Sequence, residues 1–206
     1  IEFNGNYVYA LDAFSEVSIF EIDTDNTIAH VADYATSGFL GAALIDDNTL
    51  IFTRDFDGIE AAEIQPDATL VNQTQFSQSG QILDIDKEGD ELAIAALDSN
   101  IHFWSLSTST AATLDATFSG SDNIQGVAIN GTQIVINDGA RFESHSVSNM
   151  KANIDAGVQF DSVGSAGRDG QIIELDNGYV AQAFDQLSFI DGDNNLQSTI
   201  VFDTDN

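Results

Sequence analysis

The sequence predicts an all-β protein of repeated four-stranded antiparallel sheets, and three observations predict it. The equivalent apolar positions Val8, Leu50, Leu92, Ile134 and Val180 recur at intervals of 42, 42, 42 and 46 residues, and self-similarity at such a period marks a repeat architecture. The apolar runs are four to seven residues long, rich in β-branched and aromatic residues and alternating with polar ones, as half-buried strands require. Asn4-Gly5, Asn130-Gly131 and Asn177-Gly178 sit between paired runs, where a tight hairpin needs positive φ. Four antiparallel strands in each repeat of about 42 residues make one propeller blade. The expected fold is therefore a five-bladed β-propeller, each blade a four-stranded antiparallel sheet. Leucine-rich and β-helix repeats are shorter, and helical repeats need a 3.6-residue period that is missing.

The expected blades divide a single domain, 1–206, at approximately 1–34, 35–76, 77–118, 119–163 and 164–206. The first copy pairs Phe3 with the run Tyr7 to Leu11 and then Val17 to Ile22. The second reads Ile45, Leu50 to Phe52, then Ile59 to Ile64, and the third Leu92 to Ala95, then Ile101 to Leu106. The fourth is Ile129, Ile134 to Ile136, then Phe142 to Val147, and the fifth Leu175, Val180, then Leu187 to Ile190. A fourth run completes each unit: Thr27 to Ala32, Thr69 to Gln75, Thr113 to Phe118, Gly157 to Phe160 and Thr199 to Phe202. The one longer interval places an extended loop around Asn149 to Gly170. Each unit supplies all of its own strands, so the ring would close by blade packing with the termini side by side. The chain begins at Ile1 rather than Met, which predicts a processed or excised piece of a longer protein or assembly.

The third copy ends its third strand in Ile101-His-Phe-Trp104-Ser105-Leu106, which resembles the strand ending of WD40-type blades. Phe20-Glu21, Ala62-Glu63, His145-Ser146 and Ile190-Asp191 keep that aromatic-acid pair only in part, and the Gly-His element of the family is absent. Gly126-Val-Ala-Ile-Asn-Gly131, with Ile134-Val-Ile136 and Asp138-Gly139, is similar to the LVIVD and YncE-like repeats of bacterial propellers. The resemblance implies a propeller and transfers no functional residue.

Composition narrows the function classes. There are 34 acidic and 5 basic residues, a formal net charge of −29. Nucleic-acid binding depends on neutralising phosphates with Lys and Arg, and anionic membrane surfaces repel such a chain in the same way. No apolar run reaches the roughly 18 residues of a spanning helix, so membrane insertion is not expected. There is no cysteine, which removes disulfides, thiolate metal sites and thiol catalysis. Abundant Asp, Asn, Ser and Thr fit an exported bacterial protein, secreted or at the cell surface.

The most organised polar feature is the loop between second and third strands. It carries Asp12, Asp55 with Asp57, Asp98, Asp138 and Asp185. In a propeller these loops share one face, so their carboxylates would make a ligand-binding rim for Ca²⁺, a basic peptide or a polyhydroxylated ligand. The competing explanation is turn formation, because Asp bonds nearby backbone amides. Thr53-Arg-Asp55-Phe-Asp57-Gly58 partly resembles a calcium loop, with Asp55 and Asp57 as metal ligands. Thr53 and Ile64 stand where such a loop needs Asp first and a bidentate Glu last. Ca²⁺ is the one candidate cofactor, and no cofactor is required. His30, His102 and His145 lie in strands and read as structural or surface residues. His102 and His145 differ by one place in the alternation, which puts them on opposite faces and argues against a joint metal site.

The chain has no Gly-x-Ser-x-Gly nucleophile turn and no phosphate-cradling glycine loop. The expected function is a non-catalytic module of an exported acidic protein (an adhesin, surface or filament component) with a protein or carbohydrate ligand. A five-bladed lectin is the first alternative, although the blades do not repeat an aromatic platform at matching positions. A glycoside or phosphoester hydrolase is the second, set against loops too short to build a cleft around paired carboxylates.

Overall fold

A computed structural model describes residues 1–12, 16–36, 41–46, 48–54, 58–78, 80–108, 111–120, 124–138, 142–159, 172–175, 178–183, 186–191 and 196–201. The protein is all-β: five antiparallel sheets of four strands follow one another along the chain. Sheet one holds β1 (Glu2–Asn4), β2 (Tyr7–Leu11), β3 (Glu16–Ile22) and β4 (Ile28–Ala35). Sheet two holds β5 (Ala43–Asp46), β6 (Thr49–Thr53), β7 (Ile59–Ile64) and β8 (Leu70–Phe76). Sheet three holds β9 (Ile82–Glu88), β10 (Glu91–Ala96), β11 (Asn100–Thr108) and β12 (Ala111–Ser119). Sheet four holds β13 (Gly126–Asn130), β14 (Gln133–Asn137), β15 (Phe142–Ser146) and β16 (Val158–Gln159). Sheet five holds β17 (Ile172–Leu175), β18 (Gly178–Ala183), β19 (Gln186–Asp191) and β20 (Leu196–Val201). In every sheet the strands lie in chain order. No helix among the described residues is long and apolar enough to cross a membrane.

The hairpin chemistry has a common form. Asn4 pairs with Tyr7 and Asn130 with Gln133, so the asparagine closes the strand and the glycine opens a two-residue turn. Gly5, Gly89 and Gly131 take φ of 59°, 56° and 56° at that first turn position, a conformation that costs glycine nothing. In sheet five Leu175 pairs with Gly178, so Gly178 opens β18 instead of lying in the turn as the Asn177-Gly178 dipeptide predicts, and Asn177 lies outside the described residues.

The chain divides into two compact units, Ile1–Ile82 with Leu106–Thr113, and Leu83–Ser105 with Leu114–Asn206. In the first unit, Tyr9, Val17 and Ile19 of sheet one pack against Leu50, Phe52, Ala62 and Ile64 of sheet two, and β1 lies against β5. In the second, sheet four is apolar on both faces. Val127, Ile129, Ile134 and Ile136 meet Ala93, Ala95, Ile101 and Phe103 of sheet three. Ala128, Val135 and Phe142, on the opposite face, meet Ile172, Tyr179, Ala181 and Ile190 of sheet five. Period-two alternation therefore gives way in the second strands to continuous runs such as Ile134-Val135-Ile136, as strands covered on both sides require.

At the start of the extended interval the chain makes a short helix, α1 (Val147–Lys151), directly after β15. Five residues are too few for a helical period to stand out in sequence. Met150 is buried in the core between sheets three and four. Lys151 Nζ reaches Glu91 Oε2 at 2.8 Å and Asp115 Oδ2 at 3.5 Å, fastening α1 to β10 and β12.

Candidate functional site

A cleft of about 450 Å³ opens in the first unit, a volume within the range of small-molecule sites. The β1–β2 turn supplies Asn4, Gly5 and Asn6, and β2 supplies Tyr7 and Tyr9, which share one face by strand alternation. Asn48 comes from the β5–β6 turn, and Ile64, Gln65, Pro66 and Ala68 from the end of β7 and the turn after it.

The walls are tied down by backbone. Ile64 N donates to Asn48 O at 2.6 Å, and Ala68 N to Gln65 O at 2.8 Å. Asp67 Oδ1 accepts from the Thr69 hydroxyl at 2.6 Å and from Thr69 N at 3.2 Å. Those bonds, the hydroxyl first, hold the Asp67 carboxyl below the usual carboxylate range. The Tyr9 ring is fully buried and its hydroxyl donates to Ala68 O at 3.1 Å. Burial, with smaller contributions from Tyr7 and Asp67, pushes that phenol up to about 12. Tyr9 is thus a fixed neutral wall. Tyr7, half-buried, offers a ring to the cleft, and Asn4, Asn6, Asn48 and Gln65 offer primary amides. Each amide both donates and accepts, so the lining suits hydroxyl groups rather than a charged ligand.

The cleft lies at the opposite end of sheets one and two from the loops that join second to third strands. In those loops, Asp12 is exposed and its N–H donates to Glu16 O at 2.9 Å, closing the loop. Asp98 Oδ1 accepts from Asn100 N at 3.1 Å, the side chain-to-backbone turn expected of Asp. Its Oδ2 stands 3.9 Å from His102 Nε2. Asp138 is buried at the end of β14. Asp55, Asp57 and Asp185 lie outside the described residues. The flanks of the Asp55 loop are described: Arg54 N donates to Gly58 O at 2.8 Å, and the buried Arg54 guanidinium lies 3.8 Å from Glu60 Oε2. Glu60 also accepts from Tyr34 Oη at 2.8 Å and Gln75 Nε2 at 3.2 Å. Burial, then the Glu60 contact, drives the Tyr34 phenol well above its ordinary value.

Two carboxylates on β9 have no counterpart among the expected site residues. Asp84 Oδ2 accepts from Val127 N at 3.0 Å and Asp86 Oδ2 from Ile129 N at 2.7 Å. Two side chains of one sheet thereby satisfy edge amides of the next sheet's first strand, which would otherwise be left unpaired. Burial pushes Asp84 up to about 6 and Asp86 up to about 7 against these bonds, with Asp84 and Glu88 raising Asp86 further. The signal in sequence is Asp84-Ile-Asp86, acidic at the alternate positions of a first strand where sheet four has Gly126 and Ala128.

The histidines differ from one another. His30 is exposed and meets Asp33 Oδ1 at 2.7 Å. His102 is buried, with Nδ1 3.1 Å from Thr117 Oγ1, and burial holds it below its ordinary value against the pull of Asp98. His145 is also buried. Each of these two has one buried ring nitrogen without a hydrogen bond, Nε2 in His102 and Nδ1 in His145.

No protein-family model matches this sequence, and no curated protein is similar to it. Solved structures are similar in fold. The computationally designed Ika8 protein aligns with a TM-score of 0.69 at 14% identity, over 98% of this chain and 60% of that one. Hsv2 of Kluyveromyces lactis aligns with a TM-score of 0.60 at 15% identity, over 92% of this chain and 69% of that one. The designed Ika4 protein aligns at 0.52 and 11%, over 81% of this chain and 92% of that one. This chain thus spans about three fifths of the length of Ika8, and at such identities the likeness is one of fold alone.

Proposed function

We propose that the chain is a five-bladed β-propeller serving as a non-catalytic binding module, and that the cleft beside Tyr7 takes an uncharged, hydroxyl-rich ligand of monosaccharide size. The ring architecture is supported by five sheets of identical strand order whose first strands adjoin within each unit, β1 by β5 and β13 by β17. First strands that adjoin in series are what radial packing of blades around an axis produces.

The observation that carries the ligand reading is the lining of the cleft: one accessible tyrosine ring among four side-chain amides, in a cavity of about 450 Å³. A sugar presents an apolar ring face and a rim of hydroxyls, which match an aromatic surface and bidirectional amides respectively. Carbohydrate binding is an alternative that the sequence leaves open, and this cleft makes it the favoured ligand class. The acidic surface supports a role outside the cell, as an adhesin or a surface or filament component, because a charge of −29 keeps such a module soluble and apart from nucleic acid.

The experiment is a glycan array followed by calorimetric titration of the best monosaccharide. Tyr7→Ala and Asn48→Ala are each expected to weaken binding by roughly tenfold or more, the loss typical of a central contact residue. Failure of every glycan, or equal affinity in both variants, would overturn the assignment.

A further inference from the structure

We propose that Glu143, His145 and Asp155 form a site for a divalent transition metal, with Zn²⁺ the best fit. One carboxylate oxygen from each acid and one nitrogen of His145 all lie within 4.8 Å of one another. Glu143 and His145 are two apart on β15 and so project from the same face of the strand. Their ligand atoms, Glu143 Oε2 and His145 Nε2, are 3.3 Å apart. Two ligands bound tetrahedrally to Zn²⁺ at about 2.0–2.2 Å are separated by about 3.3–3.6 Å, so this pair already stands at the required spacing.

Asp155 arrives by a pinned path. After α1, Asn153 N donates to Met150 O at 2.8 Å and Ile154 N to Asn149 O at 2.8 Å. Asn153 Oδ1 accepts from Ser119 N at 3.0 Å. Two residues beyond Asp155, Gly157 leaves room for the imidazole: a Cβ there would lie 2.5 Å from His145 Nε2 and 2.3 Å from Cε1. Any other residue would crowd the ring edge at which the acids gather.

His145 is held firmly in place. Its side chain is 1% exposed, and Nδ1 is buried without a hydrogen bond. The ring is positioned by packing against Phe118 and Gly157 and by Glu143. The imidazole is thus set rigidly beside two carboxylates, with Nε2 turned toward Glu143.

The donor set selects the metal. Ca²⁺ and Mg²⁺ prefer six or more oxygens, whereas one imidazole with two carboxylates suits Zn²⁺ or a neighbouring transition ion and leaves a position for water. Two carboxylates neutralise the ion, and a chain of net charge −29 concentrates cations around itself.

Co²⁺ titration of the whole chain in excess Ca²⁺ tests the site, because Ca²⁺ occupies the acidic surface while four-coordinate Co²⁺ absorbs visibly. The expected result is one saturable visible band that Zn²⁺ abolishes. Asp155→Asn and Glu143→Gln should each weaken Co²⁺ binding by roughly tenfold or more, with unchanged far-ultraviolet circular dichroism. Asp25→Asn, in an exposed turn, should bind as the natural chain does. No visible band, or equal affinity in the Asp155 and Glu143 variants, would overturn the assignment.

Discussion

At about pH 8 the Asp86→Asn chain is expected to melt higher than the natural chain, and the difference is expected to shrink on acidification and vanish below about pH 4. The Asp86 carboxyl ionises near 3.8 in a freely solvated chain and near 7 in the fold, because burial outweighs its bonds to Ile129 and Lys87 amides. A shift of this size corresponds to roughly 4 kcal/mol between the two protonation states. Water at the edge of a half-buried side chain reduces the usable part to roughly 2 kcal/mol. The sign follows from proton uptake. Between these two pKa values the folded chain holds a proton that the unfolded chain has lost, so stability is complete below about pH 4 and declines as pH rises through about 7.

Asparagine is neutral at every pH and its one side-chain oxygen can still accept from Ile129 N, so the variant keeps the contact between the sheets, gives up the bond from Lys87 N and escapes the ionisation cost. The expected gain at about pH 8 is roughly 4–8 °C in melting temperature for a chain of this length. Because all the other carboxylates are common to both chains, comparing variant with natural chain across pH isolates Asp86 from the general relief of repulsion. A natural and a variant chain with parallel pH–stability curves would remove the assignment of this titration to Asp86. Asp84, pushed to about 6, belongs to the same device through Val127 N, and Asp84→Asn should act in the same direction with smaller effect.

Glu60→Ala is expected to lower stability by roughly 3–5 kcal/mol, the range seen when one member of a buried ion pair is removed. Glu60 is 1% exposed and gathers the Arg54 guanidinium, the Tyr34 hydroxyl and the Gln75 amide. Truncation strips all three of this acceptor, including the guanidinium of an arginine that is itself 6% exposed. Glu60→Gln keeps an acceptor for Tyr34 and should lose less, and Arg54→Met with Glu60→Leu should recover much of the loss, because apolar replacement of a buried pair is often close to neutral. Urea titration of the three variants beside the natural chain distinguishes these cases. A change under about 1 kcal/mol in Glu60→Ala would mean that the pair adds little to folding. Since Tyr34 belongs to β4 of sheet one and Glu60 to β7 of sheet two, the same experiment reports how firmly those two sheets are joined.

The strands were legible because the feature that makes them strands is local. Val8, Leu50, Leu92, Ile134 and Val180 all fall in second strands, and Asn4-Gly5 and Asn130-Gly131 mark turns whose φ values only glycine takes without strain. Strand ends were less so: β4 continues to Ala35 and β12 begins at Ala111, beyond the apolar runs, because ladder hydrogen bonds extend pairing where side chains are polar. The helix α1 was invisible for its length. The candidate cleft was half legible, since Tyr7 and Tyr9 alternate beside Asn4 and Asn6. Its other wall, the turn at Pro66, stands about sixty residues further along the chain.

Periodicity and turn chemistry, both short-range, determine from the sequence alone that this chain makes five successive antiparallel sheets. Which acid becomes a solvated turn and which a buried acceptor was decided by packing. Asp98 bonds its own loop, whereas Asp84 and Asp86, equally acidic in sequence, are drawn against the unpaired amides of a strand some forty residues away. The same holds for Glu143, His145 and Asp155, which one strand, one helical turn and a missing Cβ at Gly157 bring together. The physical reason is that desolvation and ligand geometry depend on neighbours in space, and a hydrophobic period carries no information about them.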